Sequence, residues 1–216
     1  MFLPKHFEET DPKAIESIIR AHPLGTWICV VDGVPVANHI PFLFERLSDS
    51  RTLLTAHLAK PNPIWRNNWD TQECLVTFLG SHSYITPSWY PTKQDSGEVV
   101  PTWNYLAVHV YGTARIIQDT DWLKNHVERQ TNLRESDQET PWAVSDAPDN
   151  YVEKMLRGIV GVEISISRVL AKRKFSQNKS EADQVGVARG LQRTNESNAR
   201  DMAAWMLDRN ALADGD

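Results

Sequence analysis

The sequence is short of cysteine. Its 216 residues hold two, Cys29 and Cys74, too few for a disulfide scaffold to organise the chain. Each sits in an apolar, strand-like run, TWICVV and CLVTFL. Buried free thiols and a reducing, cytoplasmic setting are therefore expected. Long apolar runs are also missing. None approaches the roughly 20 residues of a membrane helix, and the first residues lack the basic-then-apolar pattern of a signal peptide. No membrane partner is expected. Positive charge is not in surplus: 23 Lys and Arg against 28 Asp and Glu give a net charge of -5. Nucleic-acid binding by bulk electrostatics is excluded on that ground. There is no strand–GxGxxG–helix unit, which argues against a doubly wound nucleotide fold. HExxH and GxSxG are absent, so no catalytic residue and no metal is assigned. No internal repeat or low-complexity tract interrupts the chain.

What is present is an ordinary apolar fraction, 41%, enough for one sizeable core. We expect one domain over residues 1–193 and a helical tail over 194–216. The stretch Ser81–Tyr105 carries Trp89, Tyr90 and Trp103 among Pro87, Pro91 and Pro101. Its prolines break any continuous strand or helix, and its rings argue against a flexible linker. An ordered, functional loop that packs those three rings is expected, with a mere barrel cover as the alternative.

Around it, strands are predicted at Gly25–Val31, Val34–Phe44, Thr52–His57, Cys74–Leu79, Tyr105–Ile117 and Ile159–Val169. Asp32-Gly33 marks a hairpin turn, since both central positions of such a turn need positive φ. Helices are predicted after Asp11-Pro12, after Asn62-Pro63 (carrying Trp65 and Trp69), at Thr120–Gln130, at Tyr151–Arg157, from Ser180 to Leu191 and at Ser197–Leu207. Gly158 is placed to end one of them in the left-handed conformation, and Ser180 with Asp183 reads as a capping box. Successive strands with tight turns argue an antiparallel barrel, mainly β with peripheral helices.

Three constellations can carry chemistry. His57, Lys60 and the helix start at Asn62-Pro63 bring donors, a cation and free amides to one strand end, which suits a phosphate dianion. The alternative is that Lys60 is solvated and Asn62 only caps. Lys172-Arg173-Lys174 precede Phe175 and then Ser176, Gln177 and Asn178. The cations read as a solvated face, or as a patch beside a polar ring edge. The three polar residues can read such an edge. His39, His57 and His109 all lie in strands, and His82 precedes the loop. Core or ligand-contact roles suit these histidines better than metal ligation.

Several stretches then match a known family in order: MFLPKHFEETDP, ANHIPF, LTAHLAKPNPIW, SYITPSWYPTK with VVPTWNY, MLRGIVGVEISI, and KFSQN followed by GVARGL. The chain resembles the PaiB family of FMN-binding negative transcriptional regulators from Met1 to about Leu191. The resemblance implies a six-stranded antiparallel split β-barrel and a homodimer with FMN at the subunit interface. It implies FMN phosphate near His57, Lys60 and Asn62. Lys60 stands where the family often has Arg, which keeps the charge but loses the two-pronged contact. His39 would lie beside the isoalloxazine, with Trp103, Asn104, Lys174, Ser176, Gln177 and Asn178 as further contacts. It implies repression, with DNA as a candidate partner. An FMN-dependent oxidoreductase of flavin reductase or pyridoxamine phosphate oxidase type is the alternative, and a haem-binding or haem-degrading split barrel a third.

Overall fold

A computed structural model describes residues 1–47, 51–66, 69 and 72–213. The described residues form eight strands: β1 (Glu8–Glu9), β2 (Leu24–Val31), β3 (Val34–Pro41), β4 (Leu43–Arg46), β5 (Thr52–Ala59), β6 (Glu73–Ile85), β7 (Thr102–Ile117) and β8 (Ile159–Lys174). Six helices accompany them: α1 (Pro12–Ala21), α2 (Thr92–Asp95), α3 (Thr120–Glu135), α4 (Asp149–Leu156), α5 (Glu181–Gln192) and α6 (Ser197–Ala213). The sheet runs β3-β2-β6-β7-β8-β5-β4, with β1 also on β8. The pairs β1–β8, β2–β3, β2–β6, β4–β5 and β5–β8 are antiparallel. None of the helices among the described residues is long and apolar enough to cross a membrane.

The strand count is eight rather than six, for two physical reasons. Pro41 has no N–H to continue the ladder, and the Phe42 N–H donates to the Pro23 carbonyl at 2.8 Å instead. The chain then changes partner from β2 to β5, so the expected Val34–Phe44 strand is two strands. The added β1 is a two-residue pairing with Lys172 and Ala171. Six strands have eight residues or more.

The chain forms two compact units. Unit 2 comprises residues 22–78 and 109–169. Asp32 and Gly33 turn its β2–β3 hairpin at φ 50° and 79°, as the sequence required. One face of β2 and β3 buries Trp27, Cys29 and Ile40, and Trp27 meets Trp69 at 5.5 Å between ring centroids. Gly25 has no room for a side chain: a Cβ there would lie 2.7 Å from Phe78 and 2.8 Å from Val76. Helix α3 begins where Asp119 accepts the Trp122 N–H at 2.8 Å. Gly158 does not take the left-handed conformation; Gly33 and Gly97 are the glycines with positive φ among the described residues. The helix expected after Asn62-Pro63 is a four-residue 3-10 turn, Pro63–Arg66. Part of that expected helix lies outside the described residues.

Unit 1 comprises residues 1–21, 79–108 and 170–216. Asp11 caps α1 by accepting the Lys13 N–H at 2.9 Å, and Ile18 and Ile19 are wholly buried. The expected loop Ser81–Tyr105 is shorter. Ser81–Ile85 belong to β6 and Thr102–Tyr105 to β7. Residues 86–101 remain, holding a 3-10 turn at Pro87–Trp89 and the short α2. Helix α6 buries Ala199, Met202, Ala203 and Met206, the apolar stripe that its spacing advertised.

Candidate functional site

In unit 2 the residues expected at the phosphate do not form one cluster. Lys60 is held by its backbone: its N–H donates to Gly158 at 2.9 Å, and its carbonyl accepts the Trp65 indole N–H at 2.9 Å. The half-buried side chain has no ion-pair partner among the described residues. Asn62 is fully engaged. Its Oδ1 accepts the Ile64 N–H at 3.1 Å and its Nδ2 donates to Asn38 Oδ1 at 2.6 Å. The Asn62–Asn38 pair lines a concavity of about 420 Å³ with Val31, Val36, Pro63 and Arg66. The four-residue turn after Asn62 is too short to carry much macrodipole; Arg66 is the cation lining this concavity, and the Asp32 carboxylate lines it as well. Sequence reading missed Asn38 and Arg66. Asn38 lies in the quoted ANHIPF strand, but its partner is 24 positions away.

His39 sits on the exposed face of β3, its Nδ1 in a 3.0 Å hydrogen bond with Thr26 Oγ1. His57 faces another way. Its ring meets the ring of His126 on α3 at 5.4 Å, and His126 stacks on Trp122 at 5.1 Å and 4°. His126 is wholly buried, and neither ring nitrogen has a hydrogen-bond partner among the described residues. Burial first, then the nearby His57 and Arg129, pushes it down to about 4. Burial also lowers His57. Beside them Arg129 forks onto Glu45 at 2.6 and 3.0 Å, and Thr55 donates to the same carboxylate. Burial raises Glu45, but these two partners outweigh it and hold the carboxyl below its usual range. The Trp122 indole donates to Glu163 at 2.8 Å. His57 thus belongs to the seat of α3.

In unit 1 the two sealed members of the expected set are Asn104 and Ser176. Asn104 Nδ2 donates to Ser176 Oγ at 2.9 Å, with 0% and 3% exposure. Ser176 adopts φ 65°, a left-handed conformation rare outside glycine and asparagine. Gln177 bridges backward: its Oε1 accepts the Phe175 N–H at 2.6 Å and its Nε2 donates to the Arg173 carbonyl. These bonds shape the turn after β8; Asn104 and Ser176 are sealed from solvent, while Gln177 is half-buried. Asn178 is exposed. Trp103, expected to pack away, is 55% exposed. It stands with His82 and Tyr84, each ring 6.2 Å away. The Lys174 ammonium donates to Thr102 Oγ1 and, at 2.7 Å, to the Trp103 carbonyl. Burial, with the Lys172 charge adding, lowers its pKa. The ring surface, with a cation pinned at its edge, can take a planar aromatic group. Its partners His82 and Tyr84 come from a phase slip in β6, where Gly80 and Ser81 are both buried and the alternation moves by one residue.

The basic run is not a solvated face. Arg173 pairs with Glu9, and Lys172 donates to the Phe2 carbonyl at 3.2 Å and lies over the Tyr105 ring. Both are under 10% exposed. The loop rings also have their seat. Trp89 lies on Gly190 and Gly186 of α5. The Asp183 carboxylate takes the Thr92 N–H and hydroxyl at 3.2 and 2.9 Å. Only half of the expected capping box forms: Ser180 Oγ accepts the Asp183 N–H, while the Asp183 side chain turns to Thr92.

Comparison with known proteins agrees with the fold. The Mycobacterium smegmatis "FAD and Heme binding protein" superposes with a TM-score of 0.58 at 17% identity, covering 82% of this chain and 78% of that one. The flavocytochrome Anf3 of Azotobacter vinelandii gives 0.53 at 16%, covering 83% and 75%. By sequence, the chain is 35% identical to "Protease synthase and sporulation protein PAI 2" of Bacillus subtilis (strain 168), over 97% of this chain and 98% of that one. The family model "Putative FMN-binding domain" matches residues 1–168. On these grounds the chain belongs to that family of FMN-binding, split-barrel flavoproteins.

Proposed function

We propose that this chain is a homodimeric, FMN-binding negative regulator of transcription. The observation that carries the reading is the near end-to-end match to a Bacillus protein named for protease synthesis and sporulation. The residues present fit a flavin. In unit 1, Trp103, His82 and Tyr84 offer an accessible ring surface with Lys174 at its edge; unit 2, taken by itself, offers a phosphate Lys60, a cation with no ion-pair partner among the described residues. Bound FMN supplies one- or two-electron redox chemistry; the chain's own residues bind and orient it. For the homodimer, the outer face of the β2–β3 hairpin supports the reading. Leu24, Ile28 and Val30 oppose Pro41, Ala37 and Pro35 there, with Leu24 62% and Val30 45% exposed.

A gel-shift titration of promoter DNA across a salt series, with and without FMN, tests the regulatory role. A band that survives competitor DNA and weakens with salt supports it. No retained band at low salt, together with NAD(P)H turnover above that of free FMN, replaces it with the oxidoreductase reading.

A further inference from the structure

Cys29 lies on β2 and Cys74 on β6, strands paired as Thr26↔Thr77, Trp27↔Val76 and Ile28↔Leu75. Continued by one step, that register sets Cys29 opposite Cys74, within the bounds of both strands. Both point to the face that buries Trp27 and Val76, and they are 4% and 3% exposed. Directly opposed residues of an antiparallel pair have Cα atoms about 4.5–5.5 Å apart. A disulfide spans about 4.4–6.8 Å. Both cysteines are free thiols, and Cys29 Sγ makes only a long contact, 3.8 Å, to the Val36 carbonyl.

We propose that Cys29 and Cys74 form a redox clamp, a thiol pair that peroxide closes into a cross-strand disulfide between β2 and β6. One sulfur attacks a peroxide oxygen. The O–O bond breaks, and a sulfenic acid and water result. The second thiol then attacks the sulfenic sulfur, forming the S–S bond and releasing the second water. Two thiols lose two electrons and two protons, and hydrogen peroxide becomes two waters. The clamp is slow. Burial holds both thiols up to about 11, and the thiolate is the reacting form, so closure accelerates as pH rises. Closure fixes the hairpin that carries Val36 and Asn38, two residues lining the unit 2 concavity. The inference rests on strand register and is independent of the regulatory reading.

The test treats the full chain with hydrogen peroxide, denatures it, alkylates with N-ethylmaleimide and measures intact mass. The expected product is a monomer with no adduct and two hydrogens fewer, formed faster at higher pH. Cys29→Ser should keep one adduct, at Cys74. Two adducts after prolonged treatment overturn the clamp. Oxygen added to separate cysteines, or disulfide-linked dimers alone, also overturn it.

Discussion

A single methyl group tests the seat of Trp89. A Cβ at Gly190 would stand 2.2 Å from the Trp89 ring, a distance no side chain tolerates without movement. Gly190→Ala gains up to about 1 kcal/mol in helix propensity and loses about 1–3 kcal/mol to overpacking. A lower denaturant midpoint is expected, and an unchanged or raised one would show that the indole moves aside freely. Lys60 is tested by its ligand. Lys60→Ala should weaken FMN about tenfold or more, since a charge-assisted hydrogen bond contributes about 1.5–3 kcal/mol, and should leave riboflavin, which has no phosphate, unchanged. Equal loss for both, measured by flavin fluorescence titration, removes Lys60 from the phosphate. At this scale, residues whose partners lie close in sequence were legible. Asp119 was found as a cap because its acceptor role needs only the next three residues. The burial of Arg173 was not legible, and the run stayed open between a solvated face and a patch beside a ring edge, because Glu9, its partner, is 164 positions away and leaves no local trace.

Helix α3 is docked through aromatic and polar groups as well as through Leu123. The charged and titratable groups at the seat include Glu45 on β4, His57 on β5, Arg129 on α3 and Glu163 on β8, which is also paired with Arg115 on β7. Gly161 leaves the space that the Trp122 ring fills. His126 has a folded value of about 4 against an ordinary 6.5. Between those values the unfolded chain binds a proton that the folded chain refuses. Stability is therefore full above about pH 6.5 and falls as pH drops towards 4, by roughly 3 kcal/mol for this group. Glu45 titrates below the ordinary carboxylate value and acts at lower pH still. His126→Leu should flatten the acid limb of a plot of melting temperature against pH between 6.5 and 4. An unchanged slope would assign that limb to other groups. Element types were legible from periodicity and caps. Element ends were not, because β6, β7 and β8 each extend past the apolar runs that announced them, held by neighbours distant in the chain.

For the whole molecule, the exposed hairpin face makes a concrete prediction. Sedimentation of the purified chain should give twice the chain mass, and Leu24→Glu with Val30→Lys should give a monomer. A wild-type monomer, or a dimer indifferent to both changes, would place any contact elsewhere. The antiparallel class was legible because strand runs and a hairpin turn are local signals. The division into units was not, because it follows from which stretches pack together, and unit 1 draws on three of them. That interleaving sets a timetable for synthesis. Everything unit 2 needs has left the ribosome once residue 169 has emerged. Unit 1 still waits for α5 and α6, including the Gly186 and Gly190 platform under Trp89. During that interval the Trp89 ring has no seat, and a growing chain exposes it to chaperones and proteases until the final stretch of unit 1, residues 170–216, arrives.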